Sequence, residues 1–452
     1  MKLEIVDNHR AKFFPLPHGW ISSRMRFAIK QYQRNKNQMQ NPIVLSLTKS
    51  GVKIKRDLNF GKSTEDYIGH QLVDDGQFVF ASRDFDATPI LCGIASDNGC
   101  ISNLYIVFDI SDAVNSKFLE YYFWGLKYGY QYFNKLSFGM RFSFNKTQFE
   151  YIPFIHPKFE IQRMIADFLD RDVNLIDQIV EKKQQLLELL DEKRISLVIA
   201  TMAGQIHDIF ENRDNICYKI TEENHEINIT GIFRRSRCKQ HCEIVLGKML
   251  QSKISDNNDR LLPYIRAANV RWGKIDWEDI KEMWFSPSDI NKYMLKKGDL
   301  VVLEGGDVGR CAILDDIESE IGFQNSIHRV RARKNTEIRF FYYWVMYLKF
   351  YGYFDLICSK ATLAHFTSEK FAETPFPLVD ISIQRTIADF LDLETSQIND
   401  AIEKIRISID RLKEYRSALI THAVTGQIDV AKWVRSDAGN RQLDAIQSET
   451  KA

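Results

Sequence analysis

A few short stretches of this sequence carry residue types able to do chemistry. Glu304-Gly305-Gly306-Asp307-Val308-Gly309-Arg310 has the glycines of a phosphate cradle. It follows the apolar run Leu300 to Leu303 and precedes Cys311-Ala312-Ile313-Leu314, so the spacing predicts strand, turn and strand, with Arg310 on the turn. Cys238, His241 and Cys242 offer soft ligands in RRSRCKQHC, yet no second Cys or His pair follows at finger spacing, and they read as linker thiols. Arg234, Arg235, Arg237 and Lys239 make the same stretch basic, as a solvated linker or as a phosphate contact. In YIRAANVRWGKID, Arg266, Asn269 and Arg271 are of the types that pair with guanine and adenine edges; an exposed strand and loop would suit them equally. Asn325 lies in a further polar stretch, Gln324 to Arg329. Lys360, Thr362 and His365 lie in another, which matches Ser137, Arg141 and Ser143 in the first half of the chain.

Catalytic signatures are missing beside these candidates. The sequence has no Asn-Pro-Pro-Tyr type adenine-methyltransferase motif, no G-x-x-x-x-G-K-[ST] phosphate loop, no helicase-like acidic box and no metal-ligand cluster. Its 452 residues exceed what one core usually serves, so at least two domains are expected. Seven scattered cysteines fit reduced thiols. The first residues lack the apolar core of a signal peptide, and Lys349 interrupts the most apolar later run, Phe340 to Phe354, so a cytoplasmic protein is expected. A net charge of +1 argues against a nucleic-acid binder, unless acidic helices offset basic loops or partners supply phosphate contacts.

An internal repeat organises the candidates. FEIQRMIADFLDRDVNLIDQIVEKKQQLLELLDEKR returns as ISIQRTIADFLDLETSQINDAIEKIRISIDRLKEYR at a constant offset of 222 residues, carrying Gln162 to Gln384 and Gly204-Gln205 to Gly426-Gln427 without a gap. Upstream, Phe144 pairs with Phe366 and Pro153-Phe154 with Pro375-Phe376, whereas residues 20–116 align only loosely with the second half. Positions 165, 169, 172, 176, 179, 183, 186 and 190, and their equivalents, form a mostly apolar four-three seam that predicts two long helices packing together. Lys183 against Ile405 and Leu186 against Ser408 make the seams unequal, favouring pairing within one chain. From Ile387 to Leu419 such a helix would be roughly 50 Å long at about 1.5 Å per residue. Pro157 and Pro375 precede the helices, and Gly204 and Gly426 lie where they should stop. The aromatic runs Tyr121 to Trp124 and Phe340 to Tyr343 read as helices packed on a sheet.

This order of variable block, IQRxIADFLD helix ending in GQI, second variable block and second helix resembles the specificity subunit of type I restriction-modification systems over nearly the whole chain. The resemblance implies an α+β protein with two β-rich target-recognition domains separated by two long antiparallel coiled-coil helices. It implies a non-catalytic reader of double-stranded DNA with a bipartite target, docking two adenine-N6 methyltransferase subunits and ATP-dependent restriction subunits. No cofactor is expected in this chain: S-adenosylmethionine, ATP and Mg would sit in the partners. Expected boundaries are 1–152, first recognition domain; 153–206, first repeat helix; 207–240, linker; 241–374, second recognition domain; 375–430, second repeat helix; and 431–452, a mobile tail. Gln162, Arg163, Asp167, Gln384, Arg385 and Asp389 would brace the junctions or touch a partner. The rival readings are a protein-binding scaffold and an enzyme with an unrecognised active site.

Overall fold

The computed structural model describes residues 16–48, 51–56, 67–83, 91–135, 143–205, 217–222, 225–230, 234–315, 317, 319–358, 366–435 and 438–448. The chain divides into two compact units, residues 1–185 with 404–452, and residues 186–403. Each unit therefore contains one half of each long helix.

In the first unit a four-stranded sheet is built from β1 (Ile29–Tyr32), β2 (Phe78–Ala81), β3 (Cys92–Ile94) and β4 (Tyr105–Ile110), in the order β1-β4-β2-β3, all neighbours antiparallel. Its core is aromatic: Phe78, Phe80, Phe108, Phe123 and Phe149 are fully buried, and the rings of Phe80 and Phe149 lie 4.7 Å apart. The second unit repeats the sheet with β5 (Cys242–Leu246), β6 (Leu300–Leu303), β7 (Cys311–Ile313) and β8 (Ile327–Ala332), in the order β5-β8-β6-β7. β2 and β6 keep the 222-residue offset, as do β4 and β8, but β1 and β5 do not, because the second unit has a longer connection between its first two strands. The halves align loosely here because length changes are confined to loops, where no core fixes the spacing.

The long helices are α1 (Phe159–Met202) and α2 (Ile381–Val424), 44 residues each, longer than the segment the seam defined. In the first unit Arg416 donates to the Asp177 carboxylate at 2.8 and 3.2 Å. In the second, the repeat-equivalent Arg194 donates to Asn399 Oδ1 at 2.9 Å. From 177 to 194 one helix climbs by as many residues as the other descends from 416 to 399, so the helices run antiparallel. The buried positions depart from the expected seam: Val173 and Thr395 are buried where Asp172 and Glu394 were expected. An α-helix drifts by about 20° per heptad from a 3.5-residue repeat, and near their starts these helices pack on a domain as well as on each other.

A buried glutamine locks each domain to the start of its helix. Gln162 accepts from the Asn115 backbone N–H at 2.9 Å and donates to the carbonyls of Ala113 at 3.2 Å and Pro157 at 2.9 Å. Gln384 does the same at the equivalent positions, accepting from Glu337 N–H at 2.9 Å and donating to Val379 O at 2.7 Å and Asn335 O at 3.4 Å. Tyr121 and Tyr343 add a second tie, donating to Asp170 at 2.8 Å and Asp392 at 2.7 Å.

Two expected boundaries change. The second domain starts at Arg234 rather than 241, because Arg234–Arg237 pairs antiparallel with Pro375–Leu378, as Ile21–Arg24 pairs with Pro153–His156 in the first unit. Cys238 and Cys242 are consequently core residues and not linker thiols. A hairpin, Cys217–Glu222 with His225–Thr230, lies within the expected linker. The expected mobile tail contains two helices, Val430–Arg435 and Ala438–Ser448, that bury Val430 and Leu443 in the core of the first unit. Too few apolar residues mark that segment for a periodicity to show.

Replacing Gln384 by Leu strands a backbone N–H and two carbonyls at a cost of about 1–3 kcal/mol for each buried group left unpaired. Chemical denaturation should show a loss of roughly 3 kcal/mol for Gln384→Leu. Arg385→Ala, at a side chain 63% exposed, should stay within about 0.5 kcal/mol of wild type.

Candidate nucleic-acid interface

In the second unit the antiparallel order brings the C-terminal ends of β5 and β6 together with the N-terminal ends of β7 and β8. Backbone bonds lace the loops at this end. Asn325 N–H donates to Lys248 O at 2.8 Å, Glu304 N–H to Ser326 O at 2.9 Å, and Phe366 N–H to Glu304 O at 2.9 Å. Gly247 permits the closest approach, since a Cβ there would fall 2.3 Å from the Gln324 carbonyl. The glycine-rich run is the turn between β6 and β7. Gly309, at φ +86°, lies against the Phe354 ring, leaving no room for a side chain.

The same end gathers most of the described candidates. Arg310 donates to Ala267 O at 3.4 Å, and Gly273 N–H to Cys311 O at 3.0 Å, tying the 266–276 loop to the glycine turn. Arg266 pairs with Asp279, Arg271 with Asp276 at 3.4 Å, and Arg310 with Asp307 at 3.8 Å. Asn325 is exposed. Asn269 departs from the expectation that it could meet a base: it is 2% exposed, its amide donates to Asp276 O and Asp279 O, and its Oδ1 accepts from Arg266 N–H. It shapes the loop that carries the arginines. Lys360, Thr362, His365, Ser137 and Arg141 lie outside the described residues.

In the first unit Phe144 N–H donates to Ser82 O at 2.9 Å, the equivalent of the Phe366–Glu304 bond, and exposed Ser143 bridges Arg83 beside it. Sequence reasoning missed a cationic trio here. The Lys146 ammonium stands 4.5 Å over the Tyr32 ring, and burial first, then the charges of Arg34 and Lys36, lower its pKa. None of the three has a carboxylate partner among the described residues. Arg34 and Lys36 follow β1 and Lys146 follows residues 136–142, so only the fold brings them together.

The remaining sequence candidates have other surroundings. Gln162 and Gln384 are fully buried in the staples described above; Arg163 and Asp167 are exposed. Asp389 pairs with Arg339 at 2.8 Å and Arg385 with Glu337 at 3.5 Å. Arg237 and Lys239 both pair with Glu373. Burial pushes the Cys238 and Cys242 thiols up, and no metal-holding cluster exists among the described residues. Nor is any described helix long and apolar enough to cross a membrane.

Two sheets of one topology, each with loops gathered at one end, define a tandem arrangement of two related domains. A family model for the type I restriction modification DNA specificity domain matches residues 24–189 and again 234–411, and the chain belongs to that family, whose members are non-catalytic specificity subunits that recognise DNA targets. The type I restriction enzyme EcoKI specificity subunit of Escherichia coli (strain K12) is 22% identical over 197 residues, or 42% of this chain. That match spans 39% of the curated relative's length. A solved chain described under complex assembly and conformational transition of the type I R-M system has the same fold, with a TM-score of 0.63, 14% identity, and coverage of 92% of this chain and 100% of that chain.

One buried group at this end of the second sheet should respond to pH. His328 lies edge-on to the Phe371 ring at 5.5 Å, and its Nε2–H donates to Phe366 O at 2.6 Å, anchoring the segment beside residues 359–365. Burial lowers its pKa to about 4, below its ordinary 6.5. Its neutral form is thus favoured by folding, so its contribution is fully present above pH 6.5 and is lost as pH falls toward 4. Unfolding measurements should show the wild type losing about 3 kcal/mol more than His328→Gln across that window, while buried His156 and half-buried His241, whose pKa values burial also lowers, keep a residual slope in both.

Proposed function

We propose that this chain is the reader of a type I restriction-modification complex, in which each unit reads one half of a split target and the long helices carry two adenine-N6 methyltransferase subunits. ATP-dependent restriction subunits would complete the endonuclease. S-adenosylmethionine, ATP and Mg would belong to those partners, and the complex would work in the cytoplasm. The observation that carries this reading is the repeated gathering of divergent polar loops at the same end of two equivalent sheets, on a chain whose family recognises DNA.

Contacts to phosphates position a reader and contacts to base edges specify the sequence. Arg34, Lys36 and Lys146 suit the first role in the first unit. Arg266, Arg271, Arg310 and Asn325 suit either role in the second, where guanidinium and amide groups match guanine and adenine edges. On the long helices, Ile161, Met164, Leu175, Leu186, Leu189 and Leu393 are each at least 40% exposed, as a surface meant for a protein partner would be. Near-neutral charge supports the alternative of a protein-binding scaffold; a steep fall of DNA affinity with rising salt would exclude it.

A base-resolution map of N6-methyladenine, with the coding sequence intact and then deleted, tests this reading. The expected result is a split motif with a fixed gap that vanishes on deletion; an unchanged map would overturn it. Removing one heptad from each long helix, about 10 Å at 1.5 Å per residue, should shorten the gap by roughly three base pairs and leave both half-sites unchanged.

A further inference from the structure

We infer that Asp276, Asp279 and Asp307 are specificity-determining residues of the second unit, occupying Arg271, Arg266 and Arg310 in the free protein as stand-ins for DNA acceptors; this rests on the DNA-reading function proposed above. Each arginine candidate at this end of the sheet has its own carboxylate. Asp307 also takes Lys349 at 2.9 Å, and Asp279 takes Lys281 at 2.8 Å, so two of the three acids bridge a pair of cations. Lys281 and Arg266 hold the Asp279 carboxyl below its ordinary value, keeping it ionised.

The pairs leave the arginines incompletely satisfied. The Nε atoms of Arg266 and Arg310 are buried with no hydrogen-bond partner, and the Arg310–Asp307 separation of 3.8 Å is long for a charged hydrogen bond. A guanidinium held this way exchanges its carboxylate readily for a better acceptor. A phosphate offers charged oxygens that the guanidinium fork can grip as it grips a carboxylate, so it only replaces the aspartate like for like, whereas a guanine edge adds a directional pair of acceptors that depends on sequence. Non-specific backbone contact therefore gains little over the internal pair, and a matching base edge gains more. The cost of displacing three aspartates falls on every sequence, so only a matching one overcomes it. In the first unit the trio of Arg34, Lys36 and Lys146 has no such carboxylates among the described residues, so charge attraction to any DNA is concentrated there.

The test uses the full chain and a duplex of random sequence, with affinity measured against salt. The triple variant D276N/D279N/D307N keeps the side-chain shapes and frees the cations. Non-specific binding should tighten about tenfold or more near 0.1 M salt, and the log–log salt slope should steepen by up to about 0.9 per arginine freed. A charge-matched control, E181Q/E188Q/D400N, alters exposed carboxylates of the long helices that belong to none of these ion pairs and should shift affinity less than about threefold with an unchanged slope. Should the triple variant lose its thermal transition, D279N alone still decides, with a predicted steepening of up to about 0.9. DNA binding by the wild type with the same affinity and slope in the aspartate variants, or an equal gain in the control, overturns the aspartate role while leaving the reader intact. Absence of salt-dependent DNA binding from the wild type and every variant overturns the reader along with it.

Discussion

A fully buried glutamine at the start of each long helix is the constraint on which the architecture depends. Its amide satisfies a loop N–H and two carbonyls at once, so the rotation of the helix about its axis, the path of the strand entering it and the loop leaving β4 or β8 are fixed together. An apolar contact would permit sliding by a turn; three directional bonds do not. Domain and helix start are thus held in one arrangement within each unit.

The helices carry an asymmetry that the repeat permits. Equivalent arginines meet a carboxylate in one unit, at Asp177, and a neutral amide in the other, at Asn399. Ser408 is buried with its hydroxyl unpaired where the first repeat has half-exposed Leu186. Divergence between the copies has altered the seam without altering the antiparallel pairing, because the seam needs only enough apolar area in the right rows.

Electrostatics resolves the near-neutral charge that counted against a nucleic-acid reader. The long helices hold sixteen carboxylates against twelve lysines and arginines, leaving the rest of the chain at net +5. At the loop-bearing end of the second sheet five cations, Arg266, Arg271, Arg310, Lys281 and Lys349, pair with three carboxylates, Asp276, Asp279 and Asp307. In the first unit Arg34, Lys36 and Lys146 gather near Tyr32, with Glu150 beside its hydroxyl. Composition averages these arrangements away; position separates them.

The helices, their repeat and the existence of two related domains were legible in the sequence, because a gapless 222-residue offset and a four-three apolar rhythm survive whatever the loops do. The equivalence of the two sheets was only faintly legible, since their strands are short and insertions between them break the offset. Arg266, Arg271 and Arg310 could be singled out by residue type. That Asn269 turns inward to brace their loop, that Arg34, Lys36 and Lys146 converge, and that the helices Val430–Arg435 and Ala438–Ser448 pack into the first unit were decided by tertiary structure alone. For the cationic trio and the C-terminal helices the deciding contacts join segments distant in the chain, and for Asn269 they are loop carbonyls 7 and 10 residues on; neither kind leaves a periodic pattern to read.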